Sequence, residues 1–256
     1  MKIKFLGVHN SESKNSRLVN ILIDGVIALE AGSITSEMTF SEQEKIKAIL
    51  LTHGHYDHIR DIPMFGFNNM HITTKVYASS ETHSHLLSHL LNGTIYPDFT
   101  KVNSFLKKPS IELIEMKSNE NIQIDSYKVK TIPVKHSLDA VGFEICSKEG
   151  KKLFYSGDTG FGLSNTWKKI SPDMIIIDVT FPNSLEHVAK DSGHLCPKLL
   201  KNELDEFYKI NKYHPKIFII HMSPRFEKQI IKEINELNEK LDYTINIASR
   251  GATVTI

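Results

Sequence analysis

The chain has 256 residues, 40% of them hydrophobic and 24% charged, which is enough apolar material for a real core and excludes a disordered polyelectrolyte. Lys plus Arg number 31 against 30 Asp plus Glu, so the net charge of +1 offers no global field for holding a long polyanion. No apolar run reaches the ~18–20 residues that cross a bilayer, and the N-terminus lacks the apolar stretch of a signal peptide, so a cytoplasmic protein without membrane contact is expected.

Apolar runs rich in β-branched residues predict strands at residues 3–7, 17–23, 26–30 and 46–52. A helix is predicted over 81–91, ending near Asn92-Gly93. Strands then follow at 127–134, 142–147, 152–156, 174–180 and 216–220, and two more at 243–248 and 252–256. Between them Leu163, Trp167 and Ile170 are spaced for a helix buried on one face. Pro197 suits a first helical position, with Leu199, Leu200, Leu204, Phe207 and Tyr208 as the following stripe. Ile230, Ile234, Leu237 and Leu241 mark a last helix. Strands in groups with helices in each half predict two face-to-face sheets with helices outside. No linker or repeat interrupts them, so a single domain over 1–256 is the economical expectation.

The 13 histidines are about twice an ordinary share. Two cysteines, Cys146 and Cys196, form no C-x-x-C pair and read as buried thiols of a reducing compartment. The decisive stretch is ILLTHGHYDHIRDIP. A buried strand ends at Thr52, and His53, His55, Asp57 and His58 follow within six residues. Imidazole nitrogen and carboxylate oxygen at that density suit zinc, manganese or iron. Capping the next helix does not require three histidines.

This run resembles the H-x-H-x-D-H motif of the metallo-β-lactamase superfamily, and three further motifs follow in the family's order. They are His136 in TIPVKHS, Asp158 in YSGDTG and His221 in IFIIHMSP. The resemblance implies an α+β fold, the four-layer αββα metallo-β-lactamase sandwich. It also implies two divalent ions per chain, zinc first, with manganese or iron as alternatives. One ion would take His53, His55 and His136. The other would take Asp57, His58 and His221, with Asp158 shared. Two cations on a shared carboxylate hold a hydroxide at neutral pH, because coordination pulls a water pKa toward ~7. The family commonly has an Asp in its first strand-end motif; here ALEAG places Glu30 there, whose longer side chain could still reach the metal loop.

Within the superfamily, the segment from Asp178 to Leu200 is similar to the phosphodiesterase branch. The tail GHLCP, residues 193–197, and the segment THSHLLSHLLNGTIYPDF from Thr82 resemble the class II cyclic-nucleotide phosphodiesterases. That resemblance implies hydrolysis of a 3′,5′-cyclic nucleotide, cAMP or cGMP, to the 5′-monophosphate. Asp57 would orient the nucleophile, and His194 would protonate the leaving oxygen or bind the phosphate. His83, His85 and His89 are read as facing solvent or a dimer partner, a homodimer being left open. The tRNA 3′-processing nucleases and other hydrolases of the fold are the alternative, against which the neutral charge and the lack of a basic arm count. A diiron oxygen-binding or sensor protein is the alternative of another class. His55, where the diiron pattern has Glu, argues for hydrolysis.

Overall fold

The structure, a computed structural model, describes residues 1–102 and 107–256. The chain divides into two compact units, each discontinuous in sequence. The first consists of residues 1–7, 17–117 and 250–255, and the second of 8–16 and 118–249 together with the last residue.

The strands in chain order are β1 (Lys2–Gly7), β2 (Asn20–Ile23), β3 (Ile27–Leu29), β4 (Ala48–Leu50), β5 (Thr74–Ala78) and β6 (Ile111–Glu115). They continue as β7 (Asn121–Ile124), β8 (Tyr127–Pro133), β9 (Val141–Cys146), β10 (Lys152–Tyr155), β11 (Met174–Asp178), β12 (Lys216–Ile220), β13 (Ile245–Ile247) and β14 (Thr253–Thr255). The first unit holds a seven-stranded sheet in the order β14-β1-β2-β3-β4-β5-β6, and the second a seven-stranded sheet in the order β13-β12-β11-β10-β9-β8-β7.

Each sheet is mixed, and its parallel part positions chemistry. Pairing is parallel from β3 through β6 and again from β10 through β13. Every strand of a parallel run ends at the same edge, so the loops after β3, β4 and β5 gather there, as do those after β10, β11 and β12. Strands β4 and β11 are buried along their whole length, which suits their unbroken apolar sequences.

Three strands lie outside the sequence expectation; one of them, β7, NIQI, buries only its last residue fully. β5, TKVYA, exposes Lys75, and β6, IELIE, buries only its first residue fully. All three alternate too weakly over too few residues to stand out. The predicted helix over 81–91 is a helix Ser80–His85 that widens into a π-helix over Leu86–Leu90, and Ser79 caps its start by accepting from Thr82 N at 3.2 Å.

One layer of apolar side chains in the first unit includes Leu51, Ile62, Phe65, Val76, Leu86 and Phe99, packed between strands and helices. In the second unit Phe154, Trp167, Ile177, Leu200, Phe207 and Ile230 belong to the corresponding layer. The helix Pro197–Asn211 turns Leu199, Leu200, Leu204 and Phe207 inward, as the stripe requires, but Tyr208 lies on its outer face and stacks on His214. Leu163, Trp167 and Ile170 are all buried, although regular helix covers only Ser164–Trp167. Both cysteines are free thiols; Cys196 is buried, whereas Cys146 is only half-buried, at the end of β9. Among the described residues no helix is long and apolar enough to cross a membrane.

Candidate functional site

In the first unit the stretch that carries the histidines begins where β4 ends. Thr52 and His53 are buried, and the chain then turns through Gly54 into the short helix Tyr56–Ile59, with His55 at its N-cap. His53 Nε2 and His55 Nδ1 are 2.9 Å apart, and the His53 and His58 rings lie 4.3 Å apart between centroids. Two nitrogens on one tetrahedral zinc sit roughly 3.3 Å apart, so the first pair is already spaced for a shared cation. Asp57 Oδ2 is 3.5 Å from His58 Nε2.

Glu30 organises this loop from behind. It follows β3 with a left-handed backbone, φ 63°, which a non-glycine residue adopts only when its surroundings hold it there. Asn20 Nδ2 donates to the Glu30 carbonyl at 2.6 Å, and Glu30 N donates to Leu50 O at 2.9 Å. The fully buried carboxylate then accepts from Thr52 Oγ1 at 2.6 Å and from Thr52 N at 3.3 Å, and it lies 3.3 Å from His58 Nδ1. Because Thr52 donates its one hydroxyl proton to Glu30, it accepts from His53 Nδ1 at 2.9 Å. His53 is thereby held with a proton on Nδ1 and a lone pair on Nε2, the state a metal ligand requires, and the same carboxylate lies beside Nδ1 of His58. The longer side chain at position 30 does reach the loop.

In the second unit three parallel strands deliver the acidic and imidazole groups to one edge. Asp158 follows β10, Asp178 closes β11, and His221 follows β12 with φ 66°. His221 Nε2 is 3.2 Å from Asp158 Oδ1, and His136 Nε2 is 3.9 Å from Asp158 Oδ2. The Nδ1 atoms are tied on the far side. His136 Nδ1 donates to Gly193 O at 3.0 Å, and His221 Nδ1 donates to Thr180 Oγ1 at 2.7 Å. Thr180 in turn donates to Asp178 Oδ1 at 2.6 Å. Burial holds the His136 imidazole below its ordinary pKa, against the opposing pull of the Asp158 carboxylate, so its neutral form is favoured.

His194 joins the same cluster. Its ring stacks on His221 with centroids 5.3 Å apart, and it lies edge-on to His136 at 5.1 Å. Its Nδ1 is 2.6 Å from Asp178 Oδ2, a buried carboxylate that also accepts from Thr159 N at 3.2 Å. That pairing fixes the imidazole tautomer, with the proton on Nδ1 and the lone pair on Nε2. Gly193, with φ 73°, makes the turn that places His194; a Cβ there would lie 3.0 Å from His136 Cα.

Each unit thus brings its own predicted residues together. His53, His55, Asp57 and His58 converge in the first, and His136, Asp158, His194 and His221 in the second. Sequence reasoning missed Thr52, Asp178 and Thr180. The signal available for Asp178 was a carboxylate ending an otherwise wholly apolar strand, MIIID. His85, set aside as outward-facing, instead lies against Gly54, where a Cβ would come within 2.1 Å of its Nδ1. Asp158, Asp178, His194 and His221 lie close enough for their ligating atoms to share a cation, and histidine–aspartate clusters of this kind are able to bind metal ions.

Two archaeal proteins named Ribonuclease Z are relatives. That of Methanococcus maripaludis (strain C5) is 25% identical over 283 residues, covering 100% of this chain and 84% of its own. That of Methanocaldococcus jannaschii is 25% identical over 298 residues, covering 94% and 91%. Among solved structures, unliganded yeast PDE1 superposes with a TM-score of 0.83 at 16% identity, covering 100% of this chain and 99% of that one. The short form of human tRNase Z gives 0.72 at 16% identity, covering 100% and 99%. These likenesses agree with the two mixed sheets in an α+β metallo-β-lactamase sandwich fold. The Beta-lactamase superfamily domain matches residues 19–239. A match over most of the chain places this protein in the beta-lactamase superfamily, as a hydrolase of the metallo-β-lactamase fold.

Proposed function

We propose that this protein is a metal-dependent phosphodiesterase. The motif order of the superfamily assigns His53, His55 and His136 to one divalent ion, Asp57, His58 and His221 to a second, and Asp158 to both. Such ions, zinc in the first instance, supply a Lewis acid for phosphoryl oxygens and lower the pKa of a water toward ~7. The chain's own residues do the rest. Thr52, itself bonded to Glu30, holds the His53 tautomer, and Thr180 holds that of His221. Asp57 orients the nucleophile. His194, backed by Asp178, passes a proton to the leaving oxygen.

The observation that carries this reading is the His194–Asp178 pair, 2.6 Å between Nδ1 and Oδ2, stacked on the His221 imidazole. A ribose oxygen leaves poorly without a proton, and an imidazole backed by a buried carboxylate is suited to supply one. The two Ribonuclease Z relatives favour the 3′ end of an RNA as the substrate. A second reading, hydrolysis of a 3′,5′-cyclic nucleotide, is favoured by the segments 82–99 and 193–197 and by the fold likeness to yeast PDE1.

A substrate panel decides between them: a tRNA precursor with a 3′ trailer, cAMP, cGMP, 2′,3′-cyclic nucleotides and a bis-aryl phosphate. The proposal expects cleavage of the bis-aryl phosphate together with either the precursor or a 3′,5′-cyclic nucleotide. No cleavage of any phosphodiester by protein reconstituted with zinc, manganese or iron would overturn it.

A further inference from the structure

We propose that His85 and His89 form a nucleoside-binding subsite beside the His53-Gly54-His55 turn, a proposal that rests on the phosphodiesterase reading. Strands β4 and β5 are parallel neighbours, so the turn after β4 and the helix Ser80–His85 after β5 start from one edge of the first unit's sheet. The two segments touch. A Cβ built on Gly54 would lie 2.1 Å from His85 Nδ1 and 3.0 Å from its Cγ, so the Nδ1 edge of the ring meets the one position of the turn without a side chain. The residues on either side of that position are the ligands assigned to the first ion.

An aliphatic side chain would fill the space over Gly54 equally well. An imidazole there is half-buried, and neither ring nitrogen bonds to another side chain among the described residues. The chain then widens into the π-helix Leu86–Leu90, which anchors Leu86 in the core and leaves His89 exposed. The His85 and His89 rings lie 6.3 Å apart between centroids, tilted by 38°. Together the two rings make a step from the ligand turn to the exposed His89. π-Helical segments recur at functional sites. Histidine rings stack unpaired bases and offer hydrogen bonds to base edges and sugar hydroxyls. A nucleotide with its phosphate at the ions would lay its nucleoside on this step.

The test uses the full metal-loaded protein with His85→Ala and His89→Ala. Binding of adenosine 5′-monophosphate is measured by calorimetry, beside KM and kcat for the nucleotide substrate and for a bis-aryl phosphate, and metal content. The proposal expects Kd for the monophosphate and KM for the nucleotide to rise about tenfold in each variant, as for loss of a base-stacking contact. It expects kcat, bis-aryl phosphate turnover and metal content to stay within twofold. Loss of metal, or an equal fall on both substrates, would make His85 a brace for the turn and overturn the proposal. So would unchanged nucleotide affinity, or wild-type protein that does not bind the monophosphate. If wild-type protein cleaves no phosphodiester yet binds the monophosphate through these histidines, the functional reading fails and the subsite stands.

Discussion

At the scale of single residues, the tautomers of the histidines are fixed by groups that are not themselves ligands. Thr180 shows this most clearly, because its one hydroxyl donates to Asp178 and accepts from His221 Nδ1. Thr180→Val keeps the volume but removes both bonds. It should weaken metal affinity by about 10–100-fold, as loss of a ligand's orienting partner commonly does, measured by competition with a chelator of known affinity. Unchanged affinity would mean that Thr180 only packs. His194→Ala should retain its metal and lose about 10²–10⁴ in turnover on a substrate with a ribose leaving group. The loss should be far smaller on a bis-aryl phosphate, whose leaving group departs without a proton. Equal losses on both would assign His194 to binding the phosphate.

The same scale shows what the sequence could and could not disclose. His53, His55, Asp57 and His58 are legible because no packing or capping need explains so many ligating side chains in six residues. Glu30 was legible as a position but not as an arrangement; only the fold reveals that its carboxylate receives both the amide and hydroxyl of Thr52. The roles of Thr180 and His85 were hidden for a different reason. Thr180 meets His221 across 41 residues of sequence, and His85 meets Gly54 across 31. No local pattern encodes those meetings.

At the scale of elements, the helix Pro197–Asn211 does more than cover the second sheet. Its inward face includes a carboxylate, Glu203, which accepts from Trp167 Nε1 at 2.9 Å, Leu163 N at 3.1 Å and Gly162 N at 2.5 Å. Three donors on the segment following Asp158 thus end on one side chain. Glu203→Ala would strand them in a buried setting, at a cost of about 3 kcal/mol. For a chain of this length the melting temperature should fall by about 6–12 °C. Calorimetry on the variant checks this, and a fall under 2 °C would show that water replaces the carboxylate. The stripe of leucines announced this helix, whereas Glu203 read as one more charged residue among neighbours. β5, β6 and β7 escaped notice because short strands with partly exposed faces carry little periodic signal.

At the scale of the whole molecule, the two-sheet fold was legible because the strands came in two runs, with continuous apolar stretches at β4 and β11 that demand cover on both faces. Stability at high pH belongs to this scale too. Burial, reinforced by nearby carboxylates, pushes the Tyr213 and Tyr243 phenols up to about 12 from an ordinary 10. The folded state therefore holds these protons when the unfolded chain has released them. Their contribution is complete below pH ~10 and is lost as pH rises toward ~12. Urea unfolding across that interval should show stability falling, and Tyr243→Phe should flatten the slope.

The central claim, phosphodiester cleavage that depends on bound metal, is tested most directly by one titration. Metal-free protein is loaded stepwise with zinc or manganese while bound ions per chain and bis-aryl phosphate turnover are followed together. The account predicts negligible turnover without metal, and activity that rises with loading and saturates at two ions per chain. Full activity in the metal-free protein, or two bound ions with no cleavage, would contradict it.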